Sequence, residues 1–183
     1  MLSLIIPFIS FGQNTTNFEK LPYDSETKSI HFYRIVSLPS VSKEELNIQV
    51  NQSITHINSN GELKRYSKRY NGFTPMVFRP NAIDAITDSV VTKSNEFWIH
   101  NAATFGKGTV AKCVVKLFIK NGRIKMDFDD FNLVKSADVS RGGISRDKLK
   151  DNSKSLDIVN AFNQFAIYIE EYLKVHKTQN SNF

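Results

Sequence analysis

Residues 106–109 read Gly-Lys-Gly-Thr, part of the pattern found in phosphate-binding loops, and they raise the question of a nucleotide site. A phosphate-binding loop has four residues between its first glycine and its Gly-Lys pair, and it opens a helix whose N-terminus meets the phosphate. Here one residue separates Gly106 from Gly108, and a strand-like sequence follows. The two glycines therefore predict a bend or bulge into a strand at Thr109.

Three carboxylates, Asp127, Asp129 and Asp130, come later in the same stretch and invite a metal-binding or acid/base interpretation. Oxygen ligands of a hard cation must converge, usually from a loop. A strand directs alternate side chains to opposite faces, so Asp127 and Asp129 are expected on one face and Asp130 on the other. This geometry argues against a metal site.

The other metal-binding and nucleophilic side chains are scattered along the sequence. His31, His56, His100 and His176 fall on separate predicted elements, and Cys113 is the only cysteine. Neither zinc-ligand spacing nor an internal disulfide is available. No Ser-His-Asp, Cys-His or paired-carboxylate spacing is present either, so a non-catalytic role is favoured over the alternative of a hydrolase without a recognisable motif. The sequence predicts neither a cofactor nor a metal.

A long polar loop, residues 136–153, carries the strongest candidates for ligand binding. Arg141 and Arg146 flank a Gly-Gly bend, and Lys148 follows. Paired arginines can hold a carboxylate or a phosphate bidentately. Loops of this length are functional or mobile, and both interpretations stay open. Trp98 and His100, in a short aromatic strand predicted over residues 97–102, complete the candidate ligand-binding residues.

Residues 59–95 mix basic and aromatic residues without a period, which raises the alternative of a nucleic-acid-binding module. Such interleaving suits stacking and phosphate contacts with a single strand. A solvated connection is the favoured interpretation, with a short helix predicted over residues 80–87. The residues that raise the alternative are Arg65, Tyr66, Lys68, Arg69, Tyr70, Phe73 and Arg79.

Asn121-Gly122 between two apolar runs predicts a hairpin with a type I′ turn, which needs positive φ at both residues. Counting outward from Lys120 opposite Arg123 gives one apolar face and one polar face. The apolar face pairs Ile119 with Ile124, Leu117 with Met126, Val115 with Phe128 and Cys113 with Asp130. The polar face pairs Phe118 with Lys125, Lys116 with Asp127, Val114 with Asp129 and Lys112 with Phe131.

Helices and strands elsewhere follow from local pattern. Residues 29–38 are rich in aromatic and β-branched residues and predict a strand. Ser42 with Glu45 three residues later predicts a helix N-cap, followed by an apolar stripe of Leu46, Val50, Ile54 and Ile57. A second amphipathic helix carries Leu156, Val159, Phe162, Ala166, Ile169 and Leu173 at helical spacing.

The ends of the sequence predict export and a flexible tail. Residues 2–11 are apolar and precede the small-x-small pattern at 10–12, which predicts a signal peptide over residues 1–12 and localisation to the periplasm or cell envelope. A buried N-terminal strand is the alternative. A polar segment, 13–28, then leads into a single domain over 29–175, with a flexible tail at 176–183. The 183 residues carry a net charge of +6, which favours an acidic partner without specifying one.

Residues 21–46 resemble the opening of an uncharacterised family of exported bacterial proteins, domain of unknown function 4468, which has a TBP-like fold. The likeness lies in a Pro and Asp pair, a strand, a further proline and a Ser-Lys-x-Glu-Leu helix entry. The matching residues are Pro22, Asp24, Ile30, Phe32, Val36, Pro39, Ser42, Lys43, Glu45 and Leu46. The resemblance implies a fold and an exported setting, without catalytic residues, and TBP-like names a shape from which DNA binding does not follow.

The order strand, helix, strand meander, helix predicts an α+β fold, in which two helices pack on one face of an antiparallel sheet. The predicted function is a non-catalytic exported domain that binds a protein partner or a small anionic ligand, through the face of its sheet or through the polar loop. Binding of nucleic acid is disfavoured, because nucleic acid is scarce outside the cytoplasm.

Overall fold

The computed structural model describes residues 17–57, 74–87, 90–100, 109–135, 145–150 and 153–180. Side chains are described for all of these except 57, 74–86, 135, 145–146 and 177–180. The elements in chain order are β1 (Tyr23–Asp24), β2 (Ser29–Ile30), β3 (Phe32–Ser37), α1 (Lys43–Ile57), β4 (Thr74–Ile86), β5 (Val91–His100), β6 (Thr109–Lys120), β7 (Arg123–Lys135), β8 (Ser145–Lys148) and α2 (Ser153–Asn180).

One antiparallel sheet of six strands forms the body of the protein, in the order β3-β7-β6-β5-β4. The strand β8 also pairs with β7, beside the part of β7 that β3 leaves free. The strands β1 and β2 form a separate small hairpin ahead of the sheet. This is an α+β fold, and the predicted fold class is confirmed.

Both helices pack on the same face of the sheet. The ring of Phe162 in α2 lies 5.4 Å from that of Phe97 in β5 and 5.5 Å from that of Phe131 in β7. Lys93, on the same face of β5 as Phe97, donates a hydrogen bond to Asn51 of α1 over 3.0 Å. Apolar side chains between these layers are removed from water, and their burial is the main stabilising contribution to the fold.

A polar cluster lies between β3 and α2. Arg34 donates to Glu170 over 2.9 Å and to Asn163 over 3.2 Å, and Lys174 donates to the other carboxylate oxygen of Glu170 over 2.6 Å. Burial favours the neutral form of Glu170, but the hydrogen bonds from Lys174 and Arg34 outweigh it and hold the pKa of Glu170 below its ordinary value. This cluster fixes α2 against the edge of the sheet.

The first helix begins as its sequence predicts. Ser42 Oγ accepts a hydrogen bond from the N–H of Glu45 over 3.1 Å, which confirms the N-cap. Leu46 and Val50 are fully buried, while Ile54 is half-buried. The strand predicted just before this helix is also present, as β2 and β3.

The β6–β7 hairpin has the predicted register from Lys120 opposite Arg123 back to Val114 opposite Asp129. Beyond that point a bulge shifts the pairing, and Lys112 lies opposite Asn132. The predicted pairs of Cys113 with Asp130 and of Lys112 with Phe131 are therefore wrong. Asp130 takes a left-handed conformation, with φ 51°, as the extra residue of the bulge. The extra residue lets both Phe128 and Phe131 enter the core.

The turn of this hairpin differs from the predicted type I′. Gly122 has φ 70°, whereas Asn121 is not among the described residues with positive φ, so the pattern is that of a type II turn. Contacts with the β3–α1 connection explain the difference. Asn121 Oδ1 accepts a hydrogen bond from the N–H of Lys43, and the N–H of Gly122 donates to Val41 O over 2.9 Å. A Cβ on Gly122 would lie 2.9 Å from the Cα of Pro39.

The segment before this hairpin is more regular than its sequence predicts. Residues 74–86 form β4, so the short helix predicted over residues 80–87 is wrong. The strand predicted over 97–102 begins earlier, at Val91, and runs to His100. Residues 58–73, with most of the basic and aromatic residues that raise the nucleic-acid alternative, lie outside the described residues.

The second helix is long and runs past the predicted end of the domain. Val159, Phe162, Ala166, Ile169 and Leu173 are buried as predicted. Leu156 is half-buried. The helix continues to Asn180, into the segment predicted as a flexible tail. None of the helices in the described residues is long and apolar enough to cross a membrane. The predicted signal peptide lies outside the described residues.

Candidate functional site

The sheet face opposite the helices, called the open face below, is the candidate site. In β5, β6, β7 and β3 alternate side chains point to this face, because the other set packs against the helices. The described side chains of the open face are Tyr33, Ile35, Ser37, Thr92, Ser94, Glu96, Trp98, His100, Val110, Lys112, Val114, Lys116, Phe118, Lys120, Arg123, Lys125, Asp127, Asp129, Asn132 and Val134.

Three lysines of the open face each donate a hydrogen bond to a carboxylate. Lys112 donates to Glu96 over 2.8 Å, Lys116 donates to Asp129 over 2.8 Å, and Lys125 donates to Asp127 over 2.7 Å. The predicted register places Lys116 opposite Asp127, and this is confirmed, but the hydrogen bond of Lys116 goes diagonally to Asp129. The six groups carry equal numbers of positive and negative charges.

The part of the open face over β3 and β7 is the more exposed. Tyr33 is 51% exposed. Its ring lies 4.9 Å from Lys125 Nζ, and the ring of Phe118 lies 5.7 Å from the same atom. His31, from the link between β2 and β3, hydrogen-bonds to Asp127. The ammonium group of Lys125 therefore lies at the surface, near the rings of Tyr33 and Phe118 and hydrogen-bonded to Asp127.

The part of the open face over β5 and β6 is buried at one end. Lys112 is 1% exposed and Asn132, its partner in β7, is 5% exposed. Trp98 lies opposite Lys112 on the other side, with Lys112 Nζ 5.9 Å from its ring. A buried lysine is stable there because Glu96 and the indole ring both compensate for its lost hydration.

Hydrogen bonds set the protonation of the open face. Partial burial favours the neutral form of Asp127, but hydrogen bonds from Lys125 and His31 outweigh it and lower the pKa of Asp127. The hydrogen bond to Asp129 raises the pKa of Lys116. These groups therefore stay ionised at neutral pH, which suits charge complementarity better than proton transfer.

The sheet register brings four of the predicted site residues to one end of the sheet. Lys148 pairs with Asn132, Asn132 with Lys112 and Lys112 with Trp98, so Lys148 and Trp98 belong to one row across four strands. At the ordinary strand spacing their backbones are about 14 Å apart. His100 and Arg146 are two residues beyond this row, on β5 and β8. Arg141 lies outside the described residues.

Of these predicted residues, the structure describes three side chains. Lys148 is exposed, and Trp98 and His100 are half-buried. The backbone of Arg146 pairs with Val134 in β7. Their role in binding a ligand stays a prediction.

The groups considered for metal binding or nucleophilic chemistry are arranged as follows. Asp127 and Asp129 share the open face, and Asp130 is exposed at the bulge. Within the described residues no three His, Cys, Asp or Glu side chains are grouped to hold a metal ion. Cys113 is fully buried on the helix-facing side, and burial raises the pKa of its thiol well above the ordinary value. Thr109 begins β6 as predicted, and Gly106 and Gly108 lie outside the described residues.

Several open-face residues were not among the predicted site residues. The alternation along the hairpin predicts the face of Phe118, Lys125 and Asp127, but it gives no reason to single them out as a site. Tyr33 and His31 join them only because β3 pairs with β7 across about ninety residues of sequence. A pairing between such distant strands has no local sequence signal.

Two solved structures are similar to this chain. A DUF4468 family protein from Bacteroides ovatus ATCC 8483 has 9% sequence identity and a TM-score of 0.40, with 86% of this chain and 90% of that chain covered. A TBP-like protein from Parabacteroides distasonis ATCC 8503 has 11% identity and a TM-score of 0.38, with 82% and 91% covered. The first is a member of the family that residues 21–46 resemble. Neither likeness bears on function.

No family model matches the sequence, and no curated protein matches it.

Proposed function

We propose that this chain is a non-catalytic binding domain whose open face binds a protein partner. The observation that carries the proposal is the arrangement around Lys125, a cation between the rings of Tyr33 and Phe118 and beside Asp127. Exposed tyrosine and a fixed pattern of alternating charge are features of protein interfaces, where aromatic residues provide contact area and charges provide register.

The charge balance favours a protein partner over a small anion on this part of the face. Lys116 and Lys125 each hold a carboxylate, so an incoming anion would have to compete with Asp129 and Asp127 for them. A protein surface with its own alternating charges can instead contact both members of each pair. Burial of the exposed ring of Tyr33 would add hydrophobic stabilisation.

The chemistry of the described residues also favours binding over catalysis. Asp127 is held in its ionised form by two donors, which weakens it as a proton acceptor. The thiol of Cys113, buried and with a raised pKa, is a poor nucleophile.

A small anionic ligand at the Lys148 end of the open face is a second candidate. The exposed side chain of Lys148 favours it, because Lys148 shares a register row with Trp98 and a strand with Arg146. A lysine and an arginine on one strand provide donors of the kind that bind a carboxylate or a phosphate. This candidate and the protein partner use different ends of the same face, so substitutions distinguish them.

Export to the periplasm or cell envelope is part of the proposal. The apolar run at residues 2–11 and the small-x-small pattern after it support export. Fractionation of producing cells, with mass spectrometry of the N-terminus, tests it. We expect a chain that begins after Gly12 in the envelope fraction, and an intact N-terminus in the cytoplasm would contradict export.

Site-specific photo-crosslinking from Phe118 tests the binding proposal. A photoreactive phenylalanine analogue replaces Phe118 on the open face or, as the control, Ile48 on α1, which is 56% exposed. The analogue keeps an aromatic ring at Phe118, so it disturbs the fold little. Adducts with another protein from position 118, and not from position 48, support the open face as the binding surface.

A further inference from the structure

The strand β3 lies at the edge of the sheet, and the direction of its backbone groups can be assigned. Lys120 and Arg123 close the two-residue hairpin turn, so Arg123, Lys125 and Asp127 direct their backbone groups toward β6. Ile124, Met126 and Phe128 then direct theirs toward β3. Their partners in β3 are Val36, Arg34 and Phe32.

The alternate residues of β3, namely Tyr33, Ile35 and Ser37, therefore direct their N–H and C=O groups away from the sheet. A hydrogen bond of 2.8 Å from the N–H of Leu38 to Gly122 O agrees with this assignment, because Leu38 follows the same alternation as Val36. In the described structure these outward groups of Tyr33, Ile35 and Ser37 have no hydrogen-bond partner. They form a free edge of three residues.

The residues that flank this free edge limit its length to three residues. On one side the N–H of His31 is already bonded to Pro22 O over 3.0 Å. On the other side Pro39 has no N–H to offer. A strand that adds to β3 therefore has three residues with which to pair.

We propose that a second copy of this chain pairs with this edge, β3 against β3, antiparallel about a two-fold axis through Ile35. In this register Ile35 pairs with Ile35 of the other copy, and Tyr33 pairs with Ser37 in both directions. All the outward groups are then used, which gives six backbone hydrogen bonds. An isologous pair of this kind is the simplest closed assembly.

The side chains favour this register over its neighbours. An axis through Arg34 would give four hydrogen bonds among the three edge residues, because Ser37 would lie opposite His31, whose N–H is already bonded. It would also place Arg34 opposite Arg34 of the other copy, a like-charge contact. An axis through Val36 would likewise give four among the edge residues, because Tyr33 would lie opposite Pro39, which has no N–H. With the axis through Ile35, an aliphatic pair lies at the centre, and Arg34 lies opposite Val36 of the other copy. Arg34 keeps its own partner, Glu170.

The pairing would join the two sheets into one, with both open faces on the same side, because a two-fold axis normal to the sheet preserves its faces. The proposal is independent of what the open face binds. Strand pairing alone buries a small area, so we expect a concentration-dependent dimer. Exposed edge strands are the usual sites of such pairing.

Disulfide trapping tests the register directly. In Ile35→Cys the paired cysteines fall within the Cα separation that a disulfide allows, so we expect a covalent dimer on mild oxidation. Tyr33→Cys and Ser37→Cys should each give no covalent dimer alone, and they should form a disulfide-linked mixed dimer when combined. Cys113 is fully buried and does not interfere. Failure of Ile35→Cys to form a dimer, or equal trapping in all single variants, would overturn the proposal.

Sedimentation equilibrium over a range of concentrations measures the dimer without a crosslink. We expect the average mass of the native chain to rise toward twice the monomer mass, and that of Ile35→Pro to stay at the monomer mass. Proline removes only an outward N–H, which an edge strand tolerates. Ile35→Lys, which places like charges at the axis, is the second variant should the proline variant not fold. A native chain that stays monomeric up to its solubility limit contradicts the proposal.

Discussion

Lys112 Nζ donates a hydrogen bond to Glu96 Oε1 over 2.8 Å, although the side chain of Lys112 is only 2% exposed. The pair links β5 to β6 on the open face, next to Trp98. A charge buried to this degree is stable only with its partner in place. The pair therefore fixes the buried end of the open face, while the exposed end around Lys125 stays available for contacts.

The first prediction concerns this pair. Lys112→Met keeps most of the volume of the side chain but removes the ammonium group that hydrogen-bonds to Glu96, which is 22% exposed. We expect a loss of about 1 to 3 kcal/mol in the free energy of unfolding, less than for a fully buried partner. Urea denaturation measures it, with Lys120→Met at the exposed end of the same strand as the control. Equal stability of the two variants would contradict the assigned role of the pair.

The second prediction concerns the hairpin turn. Gly122→Ala places a Cβ 2.9 Å from the backbone of Pro39, at a residue with φ 70°. Both effects are unfavourable, and we expect a loss of roughly 1 to 3 kcal/mol by thermal or urea unfolding. Lys120→Ala, at an exposed position on the other side of the turn, should change stability by less than about 0.5 kcal/mol. A neutral Gly122→Ala would show that the turn does not contact the β3–α1 connection closely.

The third prediction concerns acid stability. Glu170 and Asp127 have pKa values lowered from 4.5 and 3.8 in the folded state. The unfolded chain therefore takes up protons first, and the stability from these groups is present above their ordinary pKa values and is lost as the pH falls through the folded ones. We expect the free energy of unfolding to fall as the pH drops below about 5.

Substitution of Glu170 isolates its part in this acid transition. Glu170→Gln should be less stable than the native chain at pH 7, because Arg34 loses a charged partner, and its stability should fall less steeply on acidification. Glu171→Gln, at the exposed neighbouring position, should keep the native slope. An unchanged slope in Glu170→Gln would contradict the lowered pKa of Glu170.

The fourth prediction concerns the second candidate site. Arg141→Ala combined with Arg146→Ala should leave the melting temperature unchanged, and it should reduce binding of an anionic ligand or partner. Titration calorimetry with phosphate and with a dicarboxylate measures the binding, and Lys154→Ala, exposed at the start of α2, is the control for net charge. Unchanged binding would remove Arg141 and Arg146 from the site.

The nucleic-acid alternative can be tested by the salt dependence of binding. Phosphate contacts would give an affinity for single strands that falls steeply as salt rises. We expect no measurable binding at low salt, and a steep slope would restore the alternative.

Local sequence patterns predicted much of the fold. Asn121-Gly122 fixed the hairpin register, because a two-residue loop leaves one pairing. Strict alternation predicts no bulge, but Phe128 and Phe131 are three residues apart and cannot both enter the core without an extra residue. That spacing was the available signal. The turn type depends on Val41 and Pro39, which are distant in sequence.

The weakest prediction fell on β4. Residues 59–95 show no period from which a strand could be predicted. Pro75 and Pro80 lie within β4, where proline is tolerated because β4 is at the edge of the sheet. The candidate site was predicted only in part, since alternation gives the polar face of the hairpin. The pairing of β3 with β7, which adds Tyr33 and His31, depends on the whole fold.

Photo-crosslinking in the producing cells tests whether the open face binds a protein partner. With the photoreactive residue at Phe118, we predict a discrete adduct whose mass exceeds that of the chain by that of another protein. The same residue at Ile48, on the helical side, should give no such adduct. Adducts of equal yield from both positions, or none from Phe118, would contradict the claim.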